Sequence, residues 1–238
     1  MPELVDMHCH VLPGMDDGPA TMAESMAVLR EAERQGITTM VATPHFHPAR
    51  YRVSARSALN ALEQVRGEAA REGLKIRLLP GQECYYYTEL LNELESGNAL
   101  TMAGTDRVLL EFDPGAIYAM MQFAVRQMVE AGYRPIIAHI ERYECLYGRT
   151  DRLDELRGGG AALQLNFDRL LERDGLFRRN PWRRLMTEGR VDFLGSDTHG
   201  MDFRPLRVDR AVAWLHSQVE GDIVRRVLQE NTRCLLGR

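Results

Sequence analysis

The 238-residue chain carries a formal charge of −4, 45% hydrophobic residues and four cysteines. That charge leaves no basic footprint for nucleic acid or an acidic membrane, and no run has the length and apolarity of a membrane span. The start of the chain lacks the basic, apolar, small-residue pattern of a secretory signal, so a cytoplasmic location is expected. Cys9, Cys84, Cys145 and Cys234 are scattered without Cys-x-x-Cys spacing, which argues against a disulfide framework and a thiolate zinc site. The length suits a single domain over residues 1–238, because α/β barrels reach this size as one unit. Lys75 is the only lysine, so any phosphate contact would be made by arginine.

The first strand is expected over Val5–His10, a short apolar run ending in His8-Cys9-His10 and followed by a Pro-Gly turn and Asp16-Asp17. Thr21 and Glu24 have capping-box spacing and open a helix to about Gln35, with Gly36 as its C′ residue. Ile37–Ala42 then reads as a buried strand. The same helix–glycine–strand order recurs. A helix from about Ser54 to Gly73 precedes strand 75–79, one from about Ile117 to Gly132 precedes strand 135–138, and one from Asn180 to Gly189 precedes strand 191–195. Weaker strands fall at 107–110 and 161–165, and Pro205 to Gln229 reads as one or two helices packed outside. Seven strands alternating with helices imply a parallel sheet, whose size-matched form is a closed or nearly closed barrel.

Six of the seven strand ends carry a His, Asp or Glu at or just past the C-terminal end. The set is His8, His10, Asp17, His45, Glu83, Glu111, His139, Asp197 and His199. Parallel strands gather those ends on one face, where barrel enzymes build their sites. Residues two apart on a strand share a side, so His8 and His10 can reach one ion. Nitrogen and oxygen donors without thiolate suit Zn, Mn or Fe(II), and nine donors suit two or three ions. Such a cluster keeps a positive surplus, which favours an anionic substrate such as a phosphate ester. Asp17 can also be read as a plain turn residue, and any one strand-end His as structural. His47 reads as lying behind the site or facing solvent, and His216 as structural. Tyr85–Tyr87 could stack on a substrate ring but read first as partly buried packing, and Met120–Met121 read as core filler. Arg142 and Arg204, three and five residues past His139 and His199, have the planar fork that matches phosphate, with a surface salt bridge as the competing reading.

Six segments carry a family resemblance: 6–19 (DMHCHVLPGMDDGP), 42–45 (ATPH), 81–83 (GQE), 110–112 (LEF), 138–143 (AHIERY) and 195–199 (GSDTH). In them the chain resembles the PHP (polymerase and histidinol phosphatase) superfamily, and within it the bacterial tyrosine-protein phosphatases of capsule and exopolysaccharide clusters, the CpsB/YwqE type. The resemblance implies a distorted (β/α)7 barrel with three divalent ions, usually manganese, with iron or zinc also compatible with the donors. It implies one ion on His8, His10, Glu83 and Asp197, a second on Glu83, Glu111 and His139, and a third on Asp17, His45 and His199. Arg142 and Arg204 would hold the phosphate. The implied partner is a phosphotyrosine-bearing protein, a bacterial tyrosine kinase tail.

The expected reaction is attack of a metal-bridging hydroxide on phosphorus, since a metal-bound water ionises near neutral pH. Tyrosine phenolate, with a pKa near 10, leaves readily, and no general acid stands out. None of Cys9, Cys84 and Cys145 is followed six residues on by Arg, so no cysteine-nucleophile loop is present. Two alternatives stay open: a phosphatase of a small metabolite such as histidinol phosphate, and a metal-binding barrel that regulates a kinase by docking. A metal-dependent amidohydrolase is disfavoured, because Lys75 opens its strand rather than ending one.

Overall fold

A computed structural model describes residues 3–51, 53–172 and 180–236. Its strands are β1 (Val5–Cys9), β2 (Thr39–Ala42), β3 (His45–Phe46), β4 (Arg77–Pro80), β5 (Glu83–Tyr85), β6 (Arg107–Glu111), β7 (Arg134–Ile137), β8 (Ala162–Asn166) and β9 (Phe193–Gly195). Its α-helices are α1 (Met22–Arg34), α2 (Ala55–Arg71), α3 (Leu90–Glu95), α4 (Tyr118–Glu130), α5 (Thr150–Gly158), α6 (Pro181–Thr187), α7 (Val208–Gln218) and α8 (Gly221–Arg225). The strands form a three-stranded sheet, β1-β2-β4, and a six-stranded sheet, β3-β5-β6-β7-β8-β9. Every pairing within them is parallel. Among the described residues no helix is long and apolar enough to cross a membrane.

The repeated helix–glycine–strand order holds. Thr21 and Glu24 form the reciprocal capping box at the start of α1. Gly36 takes a left-handed φ of 85° after that helix, a conformation that side chains with a Cβ resist. Gly73, Gly132 and Gly189 end α2, α4 and α6 in the same way.

The strand count differs from the expected seven, for a physical reason. The second and third strands each break and resume. After β2 the chain passes Thr43–Pro44 and restarts as β3. Pro44 has no N–H for a ladder, while Thr43 Oγ1 accepts from Cys9 N at 3.0 Å and donates to Cys9 O at 3.2 Å. After β4 it passes Gly81–Gln82 and restarts as β5. A Cβ on Gly81 would lie 2.9 Å from Val41 Cγ1. The buried Gln82 side chain fills this break, donating to Val53 O at 2.8 Å and accepting from Leu100 N at 2.9 Å. The resumed segments β3 and β5 join the larger sheet, so His45 and Glu83 sit on strands rather than in loops.

The gap between β9 and β1 is bridged just beyond the strand ends, where Asp197 N donates to His8 O at 2.8 Å and His10 N to Thr198 O at 2.9 Å. Most of the core lies between strands and helices, while a smaller apolar cluster draws Val5, Met7 and Val41 from one sheet and Leu109, Ile136 and Phe193 from the other. Met121 is core, as expected, but Met120 is 43% exposed, because α4 turns it outward.

Candidate metal centre

The candidate ligands meet at the C-terminal ends of the strands. His8 and His10 are completely buried, and each has its Nδ1 committed elsewhere. His8 Nδ1 faces Gln164 Oε1 at 3.1 Å, and His10 Nδ1 faces the Asp16 carboxylate at 2.7 Å. Both acceptors hold the proton on Nδ1 and aim the Nε2 lone pair inward. The two Nε2 atoms lie 3.3 Å apart. Glu83 Oε2 is 3.2 and 3.3 Å from them, and Asp197 Oδ1 is 3.6 and 3.4 Å away. Glu83 Oε2 and Asp197 Oδ1 are buried and accept no hydrogen bond among the described residues. Two lone pairs and two carboxylate oxygens facing one point repel each other, and a cation at that point reverses the balance. The donor set therefore fits a divalent ion.

Two further groups adjoin this one. His10, Asp17, His45 and His199 each bring a donor atom within 4.8 Å of the others, as do His45, Glu83 and Glu111. Asp17 Oδ1 is 3.3 Å from His199 Nε2 and 3.5 Å from His45 Nε2. His45 Nδ1 is 3.1 Å from Glu83 Oε2 and 3.4 Å from Glu111 Oε2, so His45 stands between two groups rather than in one. His139 Nε2 is 2.6 Å from Glu83 Oε1 and 3.7 Å from Glu111 Oε1. Glu83 is the hub, touching His8, His10, His45 and His139. Burial pushes its carboxyl up, yet the surrounding imidazoles hold it well below the usual range. For Asp197 burial likewise opposes ionisation, and His8, His10 and Arg142 prevail. Asp17 is held low by His199 first.

Arg142 pairs with Asp197 Oδ2, and Arg204 Nη1 lies 3.4 Å from the same oxygen. Neither makes the surface salt bridge that was the competing reading. Arg204 Nη1 also lies 3.2 Å from His199 Nε2. His139, Asp197 and Arg204 take positive φ of 29°, 52° and 48°. Non-glycine residues resist that region, and such strain gathers at functional sites.

Three supporting residues escaped the sequence reading. Asp16, passed over for its neighbour Asp17, orients His10 and accepts from His45 N at 2.9 Å. Gln164 and Asn166 lie on β8, the strand whose end brings no ligand; Asn166 Nδ2 donates to Asp197 Oδ2 at 3.1 Å. Their polar alternation, Gln-Leu-Asn, was the available signal. Among the described residues His47 joins no ligand group: its Nδ1 accepts from Ala49 N and Arg50 N, both at 3.1 Å, and its ring lies 4.3 Å from Tyr85. His216 is exposed on α7. Tyr86 and Tyr87 pack as expected, their hydroxyls bonded to Gln127 and Glu93. A cavity of about 330 Å³ opens onto the centre, lined by Asp17, Tyr51, Tyr85, Glu111, Arg142 and Arg204 among others.

A family model described as "Capsular polysaccharide synthesis, CpsB/CapC" matches residues 4–237. The chain is 32% identical over 235 residues to tyrosine-protein phosphatase YwqE of Bacillus subtilis, covering 98% of this chain and 91% of that protein. It is 28% identical over 239 residues to tyrosine-protein phosphatase CpsB of Streptococcus agalactiae serotype V, covering 98% of each. It superposes with a TM-score of 0.90 and 30% identity on a crystal structure from work on YwqE of Bacillus subtilis and CpsB of Streptococcus pneumoniae, described there as unique metal-dependent tyrosine phosphatases. That match covers 98% of this chain and 94% of the other. An organophosphorus hydrolase variant, at TM-score 0.58 and 14% identity, shares the fold.

Proposed function

The chain belongs to the CpsB/CapC family of capsular polysaccharide synthesis proteins, and from that premise we propose that it is a metal-dependent protein-tyrosine phosphatase. Its substrate is a phosphotyrosine-bearing protein, a bacterial tyrosine kinase tail in capsule or exopolysaccharide synthesis, and it acts in the cytoplasm. Residues 1–238 act as one domain, a distorted (β/α)7 barrel in which the two interrupted strands each count once. The convergence of buried, unsatisfied Glu83 and Asp197 oxygens on the His8 and His10 lone pairs carries the reading.

Three divalent ions, most favourably Mn2+, would be held by His8, His10, Glu83 and Asp197, by Glu83, Glu111 and His139, and by Asp17, His45 and His199. When bound, they supply Lewis-acid charge and a water that ionises near neutral pH. Arg142 and Arg204 now share Asp197 Oδ2, and an arriving phosphate offers the same two forks a better-matched acceptor. Held there, they stabilise charge building on the phosphoryl oxygens. The aromatic wall formed by Tyr51 and Tyr85 suits a tyrosyl ring. The phenolate departs without strong acid help, since its pKa is near 10.

The test is to strip the protein with EDTA, add Mn2+ back, and assay phosphotyrosyl peptide and histidinol phosphate in parallel. Activity on the peptide that falls with chelation and returns with Mn2+ is expected. Activity indifferent to chelation, or confined to histidinol phosphate, refutes the reading.

A further inference from the structure

β8 supplies no candidate ligand, yet it ties two of them together. Gln164 is completely buried and Asn166 nearly so. Gln164 Oε1 accepts from the backbone N–H of His139 at 2.7 Å and meets His8 Nδ1 at 3.1 Å. Gln164 Nε2 donates to Asn166 Oδ1 at 2.9 Å, and Asn166 Nδ2 donates to Asp197 Oδ2 at 3.1 Å. The direction of every bond in this chain follows from one group. A backbone N–H can only donate, so the Gln164 atom facing it must be the oxygen. An oxygen there obliges His8 to carry its proton on Nδ1, which leaves the Nε2 lone pair pointing at Glu83 and Asp197. The other end of the Gln164 amide must then donate, which turns the Asn166 amide so that it donates to Asp197 Oδ2. With Arg142 and Arg204 on that same Oδ2, Asp197 Oδ1 is left unengaged and facing the two Nε2 atoms. The packing leaves no slack: a Cβ at Gly195 would sit 2.6 Å from His8 Cβ and 3.1 Å from Gln164 Nε2.

We propose that Gln164 and Asn166 are positioning residues, a polarity relay through which the His139 backbone amide fixes both the His8 tautomer and the free oxygen of Asp197. This rests on the metal reading above. Its consequence is that the donor atoms are oriented before any ion arrives, which lowers the cost of binding. Partners of this kind change metal affinity by roughly 10–100-fold when removed.

Long-range 1H–15N spectra of the metal-free protein at alkaline pH, where imidazoles are neutral, report which His8 nitrogen is protonated. Competition with a chromophoric chelator reports metal affinity. Gln164→Leu is expected to lose the Nδ1–H preference of His8 and to weaken the tightest-held ion by roughly 10–100-fold. Gln164→Glu keeps an acceptor for His8 but ends donation to Asn166, so the tautomer stays while affinity still falls; it decides the matter if the leucine variant does not fold. An unchanged tautomer and affinity in Gln164→Leu, or unchanged affinity in Gln164→Glu, overturns the relay. A wild-type chain that takes up no metal instead overturns the metal reading, and the tautomer comparison still decides the relay.

Discussion

Asp17→Ala is expected to release one ion and spare its neighbours. The Asp17 carboxylate faces His199 Nε2 at 3.3 Å and His45 Nε2 at 3.5 Å, and its side chain is 43% exposed. Unit charges about 4 Å apart interact by about 4 kcal/mol at an effective dielectric near 20. A divalent ion doubles that, while partial exposure and the hydration Asp17 regains remove more than half. A net loss of about 3 kcal/mol remains, on the order of a hundredfold in dissociation constant. His8, Glu83 and Asp197 make no ion pair with Asp17 among the described residues, so the ion they share should keep its affinity. Equilibrium dialysis against graded Mn2+, with metal counted per chain, gives the answer. The expected curve loses one ion at low free Mn2+ and recovers it, with the activity, at high Mn2+. Unchanged content at every concentration, or loss of all ions together, refutes the division into groups.

Cys9→Ala should retain most phosphatase activity. Burial and then Asp6, Asp16 and Asp197 hold the Cys9 thiol protonated, the opposite of what a nucleophile needs. Its Sγ donates to Val41 O at 3.1 Å, so the cost is about 1–2 kcal/mol of stability, read from the denaturation midpoint; total inactivation with metal retained would refute a metal-based mechanism. Gly195→Ala places a Cβ 2.6 Å from His8 Cβ, and overpacking of this kind costs about 1–3 kcal/mol. Both thermal midpoint and metal content should drop; if neither moves, the close approach is not real. Glu31, bonded first to Arg34 and then to Gln35, has its pKa lowered from 4.5 to about 2. A depressed carboxylate stabilises the fold above its unfolded value and loses that as pH falls from about 4.5 towards 2. Because Arg34 is exposed and Glu31 only partly buried, Glu31→Gln should cost below about 1 kcal/mol at neutral pH. That gap should narrow on acidification, and a gap that widens contradicts the sign.

Much of the site could be read from the chain because strand ends are marked twice, by the apolar run before them and by the helix-ending glycine before that. His139 and Asp197 carry both marks, while His8, His10 and Glu111 rest on the apolar run alone. The interruptions were harder. Pro44 and Gly81 were visible, but Pro and Gly commonly end strands, and nothing local says that pairing resumes two residues later. The sequence therefore puts His45 and Glu83 past a strand end, whereas each opens a resumed strand, β3 or β5. Asp16 and Asp17 are adjacent acids in one turn, and only the backbone path decides that one faces His10 and the other His199. The left-handed backbone at His139 and Asp197 has no sequence signal at all, since it is imposed by what surrounds it. Gln164 and Asn166 were passed over because amides are not metal donors of first choice, although their spacing puts them on one face.

The two interrupted strands have a mechanical consequence. They hand His45 and Glu83 to the larger sheet, while His8 and His10 remain at the end of the smaller one. An ion held by His8, His10, Glu83 and Asp197 would be a rivet driven through both plates. Any motion that parts the sheets must then break coordination bonds, so occupancy and rigidity rise together. An ion that binds only the closed arrangement stabilises it in proportion to the logarithm of its concentration. The resistance of this fold to heat would then serve as a gauge of how much metal its surroundings provide.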